Sequence, residues 1–222
     1  MANGHNLGKY YYEYRALFTL QKLFPKEYDT LVHGDKPDLY DCQRNMGIEV
    51  ARGADFQAER ILSFFQKHLD GRMLEEIPED TIQWFRTNGC EVITGADLGT
   101  RHGKRIVGYI PEAIWFNTGN LERVIKQKVL YIDKTAWSVS ELSLYVFSDA
   151  FKTYERRDIE ELVFFMQEQQ KKQSKQYRVL YVDDCGWFYC CDLVSGEIRF
   201  FDTDEILHDI CVKAKIFAEN ND

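Results

Sequence analysis

Hydrophobic and polar residues alternate along the chain in a way that predicts helices and strands in mixed order. The first predicted helix spans residues 9–24, since its apolar positions recur with helical period, and Pro25 follows it as a stop. The apolar positions of this helix share one stripe: Tyr10, Tyr14, Leu17, Leu20 and Phe24. The polar residues of the helix lie opposite that stripe: Arg15, Thr19 and Lys22.

Two strands are predicted next, over residues 30–40 and 45–52, and a polar turn joins them. The remaining periodic segments predict helices at 61–69, 79–86, 120–133, 159–172 and 206–217, and strands at 142–147, 178–182, 187–193 and 198–201. Residues 89–111 are rich in glycine and alternate in polarity, which indicates a hairpin or irregular strands. This order predicts a mixed α/β domain with a central sheet flanked by helices.

The charge of the chain lies mainly at its C-terminal end. The sequence has 28 Lys and Arg against 36 Asp and Glu, a formal net charge of −8. Residues 183–222 alone have ten acidic and three basic residues, so the rest is nearly neutral. Basic clusters occur at 101–105, 156–157 and 171–178. Clusters of this kind can follow a phosphate backbone, so the charge permits a nucleic-acid partner without requiring one.

Composition and patterning indicate a soluble protein. No apolar run approaches the roughly 18–20 residues that a membrane span needs, and the first eight residues are polar. We therefore expect a cytoplasmic protein with no membrane partner. The six cysteines form no Cys-x-x-Cys pair and no zinc-site spacing, so they are expected to be reduced thiols.

Two carboxylates in the early strands are the first candidates for chemistry. In the second strand Ile48 and Val50 face one way and Glu49 the other. An acid within an apolar strand is costly unless it is paired or binds a metal. If the two strands pair antiparallel, Asp38 comes close to Glu49, and two such carboxylates attract a hard cation such as Mg²⁺.

Two predicted helices carry charged residues where their patterns call for apolar ones. Glu13 falls within the apolar stripe of the first helix. In the helix after Asn120, Lys128 lies at the centre of the apolar face, whereas Lys126 falls near the opposite side. Glu13 and Lys128 could therefore reach the Asp38–Glu49 pair from two helices packed against the sheet.

These residues resemble the motif of the PD-(D/E)XK, or restriction-endonuclease-like, nuclease superfamily. The resemblance rests on Lys36-Pro37-Asp38 and on Gly47-Ile48-Glu49-Val50, with Glu49 eleven residues after Asp38. It implies an αβββαβ core in which Asp38 and Glu49 bind Mg²⁺ or Mn²⁺ and Glu13 completes the acidic site. It further implies that a lysine activates or orients the water that attacks a phosphodiester.

The sequence departs from the motif at this lysine, because Ala51 stands in its place. Some members of the superfamily take the lysine from the helix after the third strand, and Lys128 fits that position. Residues 127–131 also resemble the Gln-x-x-x-Tyr helix motif of recombination-type members. On this basis we expect residues 1–222 to form a single nuclease-like domain. Its expected parts are a core at 9–52 and 120–148, a helical insertion at 53–119, and a C-terminal extension of strands and helix at 149–222.

The resemblance implies a Mg²⁺-dependent nuclease, and DNA is the nucleic acid that we expect it to cleave. The protein could act alone, as a homodimer or with a partner protein. One alternative is a degenerate nuclease fold that binds nucleic acid or protein, which Ala51 and the acidic C-terminus favour. Another is a protein that binds a partner through its C-terminal region.

Each site residue also has a structural reading. Asp38 could stabilise a turn or cap a helix, and Glu49 could pair with Arg52 or another base. Glu13 could reach solvent, and Lys128 could extend its ammonium past an apolar stem. Arg52 could replace the missing lysine, although strand alternation points it away from Glu49.

Overall fold

A seven-stranded mixed β-sheet flanked by helices organises most of the chain in the computed structural model. The structure describes residues 4–53, 56–96, 104–111, 119–135, 139–148, 154–184 and 186–221. Its helices are α1 (Gly4–Leu23), α2 (Phe56–His68), α3 (Glu79–Thr87), α4 (Gly119–Tyr131), α5 (Arg156–Gln170) and α6 (Asp204–Asn220). Its strands are β1 (Val32–His33), β2 (Leu39–Asp41), β3 (Met46–Gly53), β4 (Cys90–Ala96), β5 (Lys104–Pro111), β6 (Glu141–Ser148), β7 (Val179–Asp184), β8 (Trp187–Asp192) and β9 (Ile198–Asp202).

The described chain divides into two compact units. The sheet unit contains residues 4–53, 119–148 and 154–221, and the insertion unit contains residues 56–111, both within the described ranges. In the insertion unit α2 and α3 share a buried core with the antiparallel pair β4–β5, centred on Ile61, Phe85 and Ile106. The segment expected to be a helical insertion therefore also contains a two-stranded sheet.

The strand order of the sheet unit is β1-β2-β3-β6-β7-β8-β9. The three central strands β3, β6 and β7 run parallel, and the outer pairs are antiparallel. Tyr145 and Phe147 of β6 share a core with α1 and α6 on one face. Since side chains alternate along a strand, the buried Leu144 and Val146 face the other side, where α4 lies next to β3 and α5. The predicted α/β class, with a mixed sheet flanked by helices, is confirmed.

The prediction of one strand over residues 30–40 is wrong. This segment forms two short antiparallel strands, β1 and β2, and the Gly34 amide donates to the Asp38 carbonyl at 2.8 Å across the turn between them. Pro37 lies within this turn and has no N–H to donate to a strand ladder. Asp38 is thereby the last residue before β2 and not a residue inside a longer strand.

Two of the residues opposite the apolar stripe of α1 are also buried. Arg15 and Thr19 are 9% and 3% exposed, and they face β6 and β7, where Arg15 pairs with Asp183 and lies over the Phe147 ring. The C-terminal residues supply α6 and the last two strands of the sheet, and Asp183 and Asp184 are themselves buried. Part of the acidic C-terminal end therefore belongs to the core. No helix in the described ranges is long and apolar enough to cross a membrane.

Asp41 holds the turn between β2 and β3. Its Oδ1 accepts hydrogen bonds from the amides of Gln43 and Arg44 at 2.9 and 3.0 Å, and its Oδ2 accepts from Thr30 Oγ1 at 2.6 Å. Burial acts to raise the pKa of Asp41, but these hydrogen bonds outweigh it and lower the pKa below the ordinary value. The ionised side chain consequently stabilises the fold.

We expect Asp41→Asn to lower the free energy of unfolding by about 1 kcal/mol at pH 7. A depressed folded pKa gives stability that is fully present above the unfolded pKa of about 4 and is lost as pH falls through the folded value. Urea denaturation of both proteins should thus show a constant difference above about pH 5 that shrinks below about pH 4. A difference that grows as the pH falls would contradict this role.

Candidate functional site

The pairing of β2 with β3 places Asp38 opposite Glu49. The paired residues are Leu39 with Ile48 and Asp41 with Met46, so one further step along the antiparallel register brings Asp38 across from Glu49. Both residues are buried, each 7% exposed. Asp38 Oδ2 accepts a hydrogen bond from the Val50 amide at 2.8 Å, which fixes its carboxylate against β3.

Gly47 permits this arrangement by its lack of a side chain. A Cβ at position 47 would lie 2.4 Å from Pro37 Cγ, closer than two carbon atoms can approach. The segment that carries Asp38 therefore packs directly on the backbone of β3. This contact explains why a glycine stands two residues before Glu49.

The helix α1 adds Glu13 and Lys9 to the pair. Glu13 is 2% exposed, and its Oε2 lies 2.6 Å from His33 Nε2. Lys9, one helical turn earlier, places its ammonium 3.2 Å from Glu13 Oε1 and 3.7 Å from Asp38 Oδ1. Lys9 thus connects the acid of the helix with the acid of the turn.

The helix α4 brings Lys128 to Glu49. Leu121, Val124, Ile125 and Val129 of this helix are buried. Lys128 lies on the same side, and its Nζ forms an ion pair with Glu49 Oε2. Lys126 is exposed, as its position in the pattern indicated. The structure therefore brings together Glu13, Asp38, Glu49 and Lys128. We call these four residues and Lys9 the acid cluster.

Burial and mutual repulsion set the protonation of the cluster. Burial raises the pKa of Asp38 to about 7, with Glu49 and Glu13 adding to the rise, and the Val50 amide and Lys128 opposing it. Burial also acts to raise the pKa of Glu13, but His33 and Lys9 outweigh it and the net pKa is lowered. The raised pKa of Asp38 includes repulsion from Glu49 and Glu13, which a cation bound between these carboxylates would relieve.

Asp38 and Glu49 suit Mg²⁺ or Mn²⁺ as that cation. Two carboxylates of adjacent strands supply hard oxygen donors, and Mg²⁺ is commonly bound by one or two carboxylates with water and substrate oxygens completing its shell. Among the residues the structure describes, no group of three or more His, Cys, Asp or Glu could hold a metal ion by itself. Asp38 and Glu49 alone could supply only part of the oxygen shell of such a cation, and water or substrate oxygens would supply the rest.

Sequence reasoning missed three residues around the acid cluster. Lys9 precedes Glu13 by four residues, a helical spacing that could have indicated the pair. His33 lies next to the turn before Asp38, but nothing local indicates its contact with Glu13. Burial raises the pKa of the Tyr177 phenol, and the charges of Glu49 and Asp38 raise it further, so this tyrosine also lies near the cluster.

The basic clusters of the sequence are largely paired with nearby acids. Arg156 and Arg157 pair with Glu160 and Glu161 at 2.9 and 3.0 Å, one turn later on α5. Lys171 pairs with Glu168, and Arg178 with Asp192 at 3.2 Å. Of the cluster at 101–105, residues 101–103 lie outside the described ranges. Exposed pairs of this kind are weak and leave the charges available to a polyanion.

Comparison with known proteins gives no relative from which the site could be assigned. No protein-family model, no curated protein and no solved structure matches the chain. The geometry and charge of the acid cluster are therefore the basis on which a function can be proposed.

Proposed function

We propose that the protein is a Mg²⁺-dependent nuclease of the PD-(D/E)XK type that hydrolyses phosphodiester bonds of DNA. The observation that carries the proposal is the acid cluster itself. Glu13, Asp38, Glu49 and Lys128 come from separate elements of the sheet unit and meet around one pair of buried carboxylates. In this proposal Asp38 and Glu49 hold the metal, Glu13 is a further acid, and Lys128 is the displaced lysine.

The order of elements supports the proposal. In the sheet unit α1 precedes the antiparallel strands β1, β2 and β3, and α4 precedes β6, which lies parallel to β3. This succession agrees with the αβββαβ order that the resemblance implies. The pairing of Lys128 with Glu49 also supports a lysine supplied by α4, since Ala51 leaves β3 without one.

Each residue has a defined task in this proposal. A bound Mg²⁺ would polarise phosphoryl oxygens and neutralise developing charge. Asp38 and Glu49 would hold it by their oxygens, and the Val50 amide keeps the Asp38 carboxylate aligned. Lys128 places a positive charge beside Glu49, where it can orient the attacking water and stabilise the negative charge of the transition state. Lys9 and His33 hold Glu13 in its ionised form.

A second candidate function is nucleic-acid or protein binding without catalysis. The observation that favours it is that the cluster already contains cations of its own, with Lys128 on Glu49 and Lys9 between Glu13 and Asp38. A cluster stabilised by lysines alone needs no metal. The two functions differ in their response to divalent cations, and this difference can be measured directly.

The replacement Lys128→Gln tests the lysine assignment against Lys126→Gln, an exposed lysine two residues away on the same helix. We expect the wild type to cleave DNA with Mg²⁺ or Mn²⁺ and not with EDTA. Loss of one positioned charge that stabilises the transition state typically costs about a hundredfold or more, so Lys128→Gln should lower the cleavage rate by that factor. Lys126→Gln should cleave at the wild-type rate.

Rates on labelled single-stranded and duplex DNA and RNA, with circular dichroism to verify folding, provide the measurement. Equal cleavage by Lys128→Gln and the wild type would remove Lys128 from the site. Absence of cleavage by the wild type, together with no stabilisation by Mg²⁺ or Mn²⁺ on heating, would overturn the nuclease proposal and favour the binding function.

A further inference from the structure

A cleft opens beside the acid cluster, between α1 and the end of β3. It is lined by Gly8, Lys9, Tyr12 and Glu13 of the helix and by Val50, Ala51 and Arg52 of the strand. Its volume of about 370 Å³ lies in the range of sites for small molecules. Since Lys9 and Glu13 belong to both, a molecule in the cleft adjoins the α1 side of the acid cluster. We call this site the Arg52 cleft.

Arg52 and Tyr12 form a stacked pair at the cleft. The Arg52 guanidinium carbon lies 4.3 Å from the centroid of the Tyr12 ring. The Tyr12 ring is itself held edge-on by Phe147 at 5.0 Å and by Tyr11 at 5.2 Å, and Phe147 is buried. Arg52 is an exposed residue over a ring that the core holds in place. Such a guanidinium is a surface on which a nucleobase can stack.

Lys9 links this stacked pair to the acid cluster. Its side chain is 53% exposed while its ammonium contacts Glu13 and Asp38, so it faces both the carboxylates and solvent. An ammonium in this position can contact a phosphate next to the carboxylate pair. The Arg52 cleft therefore combines a cation for a phosphate with a planar cation for a base, and it shares Lys9 and Glu13 with the acid cluster.

We infer that the Arg52 cleft binds one nucleotide of a single-stranded nucleic acid, with Lys9 on its phosphate and Arg52, supported by Tyr12, against its base. The position of this nucleotide next to the reacting phosphate rests on the proposed function. It specifies an unpaired strand, because in a duplex the faces of the bases are covered by their neighbours. It implies no preference for a base, since every base has a face that can stack.

The test is the affinity of the full chain for a fluorescent oligothymidylate in EDTA, measured by anisotropy at several salt concentrations. Removing one stacking group typically weakens binding about tenfold, which is the result expected for Arg52→Gln. Arg52→Lys keeps the positive charge but loses the planar guanidinium, so it should weaken binding while leaving the salt dependence unchanged. Lys9→Gln should lower the slope of log K against log salt by about one. Lys126→Gln is the control for loss of an exposed charge and should bind as the wild type does.

Three results would overturn the inference. These are no binding of the single strand by the wild type, equal affinity of Arg52→Gln and the wild type, or equal affinity for the matching duplex. The test separates this inference from the proposed function, because Glu49→Gln should lose cleavage and keep the Arg52-dependent binding. Cleavage without an effect of Arg52→Gln would leave the nuclease proposal standing and remove the nucleotide site.

Discussion

Replacing Glu49 by Gln is expected to abolish both cleavage and the response to divalent cations. The amide has nearly the shape of the carboxylate but lacks the charge that a hard cation requires. A bound metal contributes several kcal/mol of charge stabilisation in the transition state, so its loss should slow cleavage by at least about a hundredfold. Asp38→Asn should have the same effect, because Asp38 lies opposite Glu49 and would supply the other protein oxygen.

The binding of the cation can be measured without any substrate. A ligand at one hundred times its dissociation constant raises the free energy of unfolding by about 2.7 kcal/mol, so thermal denaturation with increasing Mn²⁺ or Mg²⁺ reports occupancy. We expect this stabilisation in the wild type, in Lys126→Gln and in Glu160→Gln, which replaces an exposed acid on α5. It should disappear in Glu49→Gln and Asp38→Asn. Retained stabilisation and cleavage in both would show that the metal site lies elsewhere.

Loss of folding can be distinguished from loss of the site in these variants. Glu49 raises the pKa of Asp38, so removing its charge relieves one repulsion in the metal-free protein while leaving Lys128 without its carboxylate partner. These two effects oppose each other, and we expect the metal-free variant to remain folded. Urea denaturation in EDTA checks this, and a cooperative transition makes a lost metal response specific to the site.

The sequence was sufficient to predict those members of the acid cluster that a local pattern marked. Strand alternation around Glu49, the helical stripe that contains Glu13, and the apolar face that contains Lys128 each place a charge where an apolar residue is expected. The structure brings these residues to Asp38, as the pattern predicted. Whether they catalyse hydrolysis stays a prediction.

Residues around the acid cluster could not be predicted because their contacts depend on tertiary packing. His33 reaches Glu13 only because residues 30–40 form two strands with a turn between them, where the pattern predicted one strand. Tyr177 precedes β7, and no local periodicity relates it to β3. The same limit applies to Arg15, which a single-helix pattern places away from the core and which α6 and β7 enclose in the structure.

Arg15 forms a buried ion pair, and we expect the removal of one of its partners to be among the most destabilising single changes in the sheet unit. Its Nη2 donates to Asp183 Oδ1 at 2.7 Å, and Asp183 Oδ2 accepts from the Tyr145 hydroxyl at 2.8 Å. The guanidinium also lies 4.8 Å above the Phe147 ring. Removing one partner of such a pair leaves the other as an uncompensated buried charge.

We therefore expect Arg15→Met to lower the free energy of unfolding by about 3–5 kcal/mol, measured by urea denaturation. The matched control is Arg157→Gln, which breaks an exposed arginine pair with Glu161 and should cost less than about 1 kcal/mol. The double variant Arg15→Met/Asp183→Asn removes both charges and keeps an acceptor for Tyr145, so it should be more stable than Arg15→Met alone. If the double variant were less stable than Arg15→Met, the loss would arise from packing around Phe147 and not from the buried charge of Asp183.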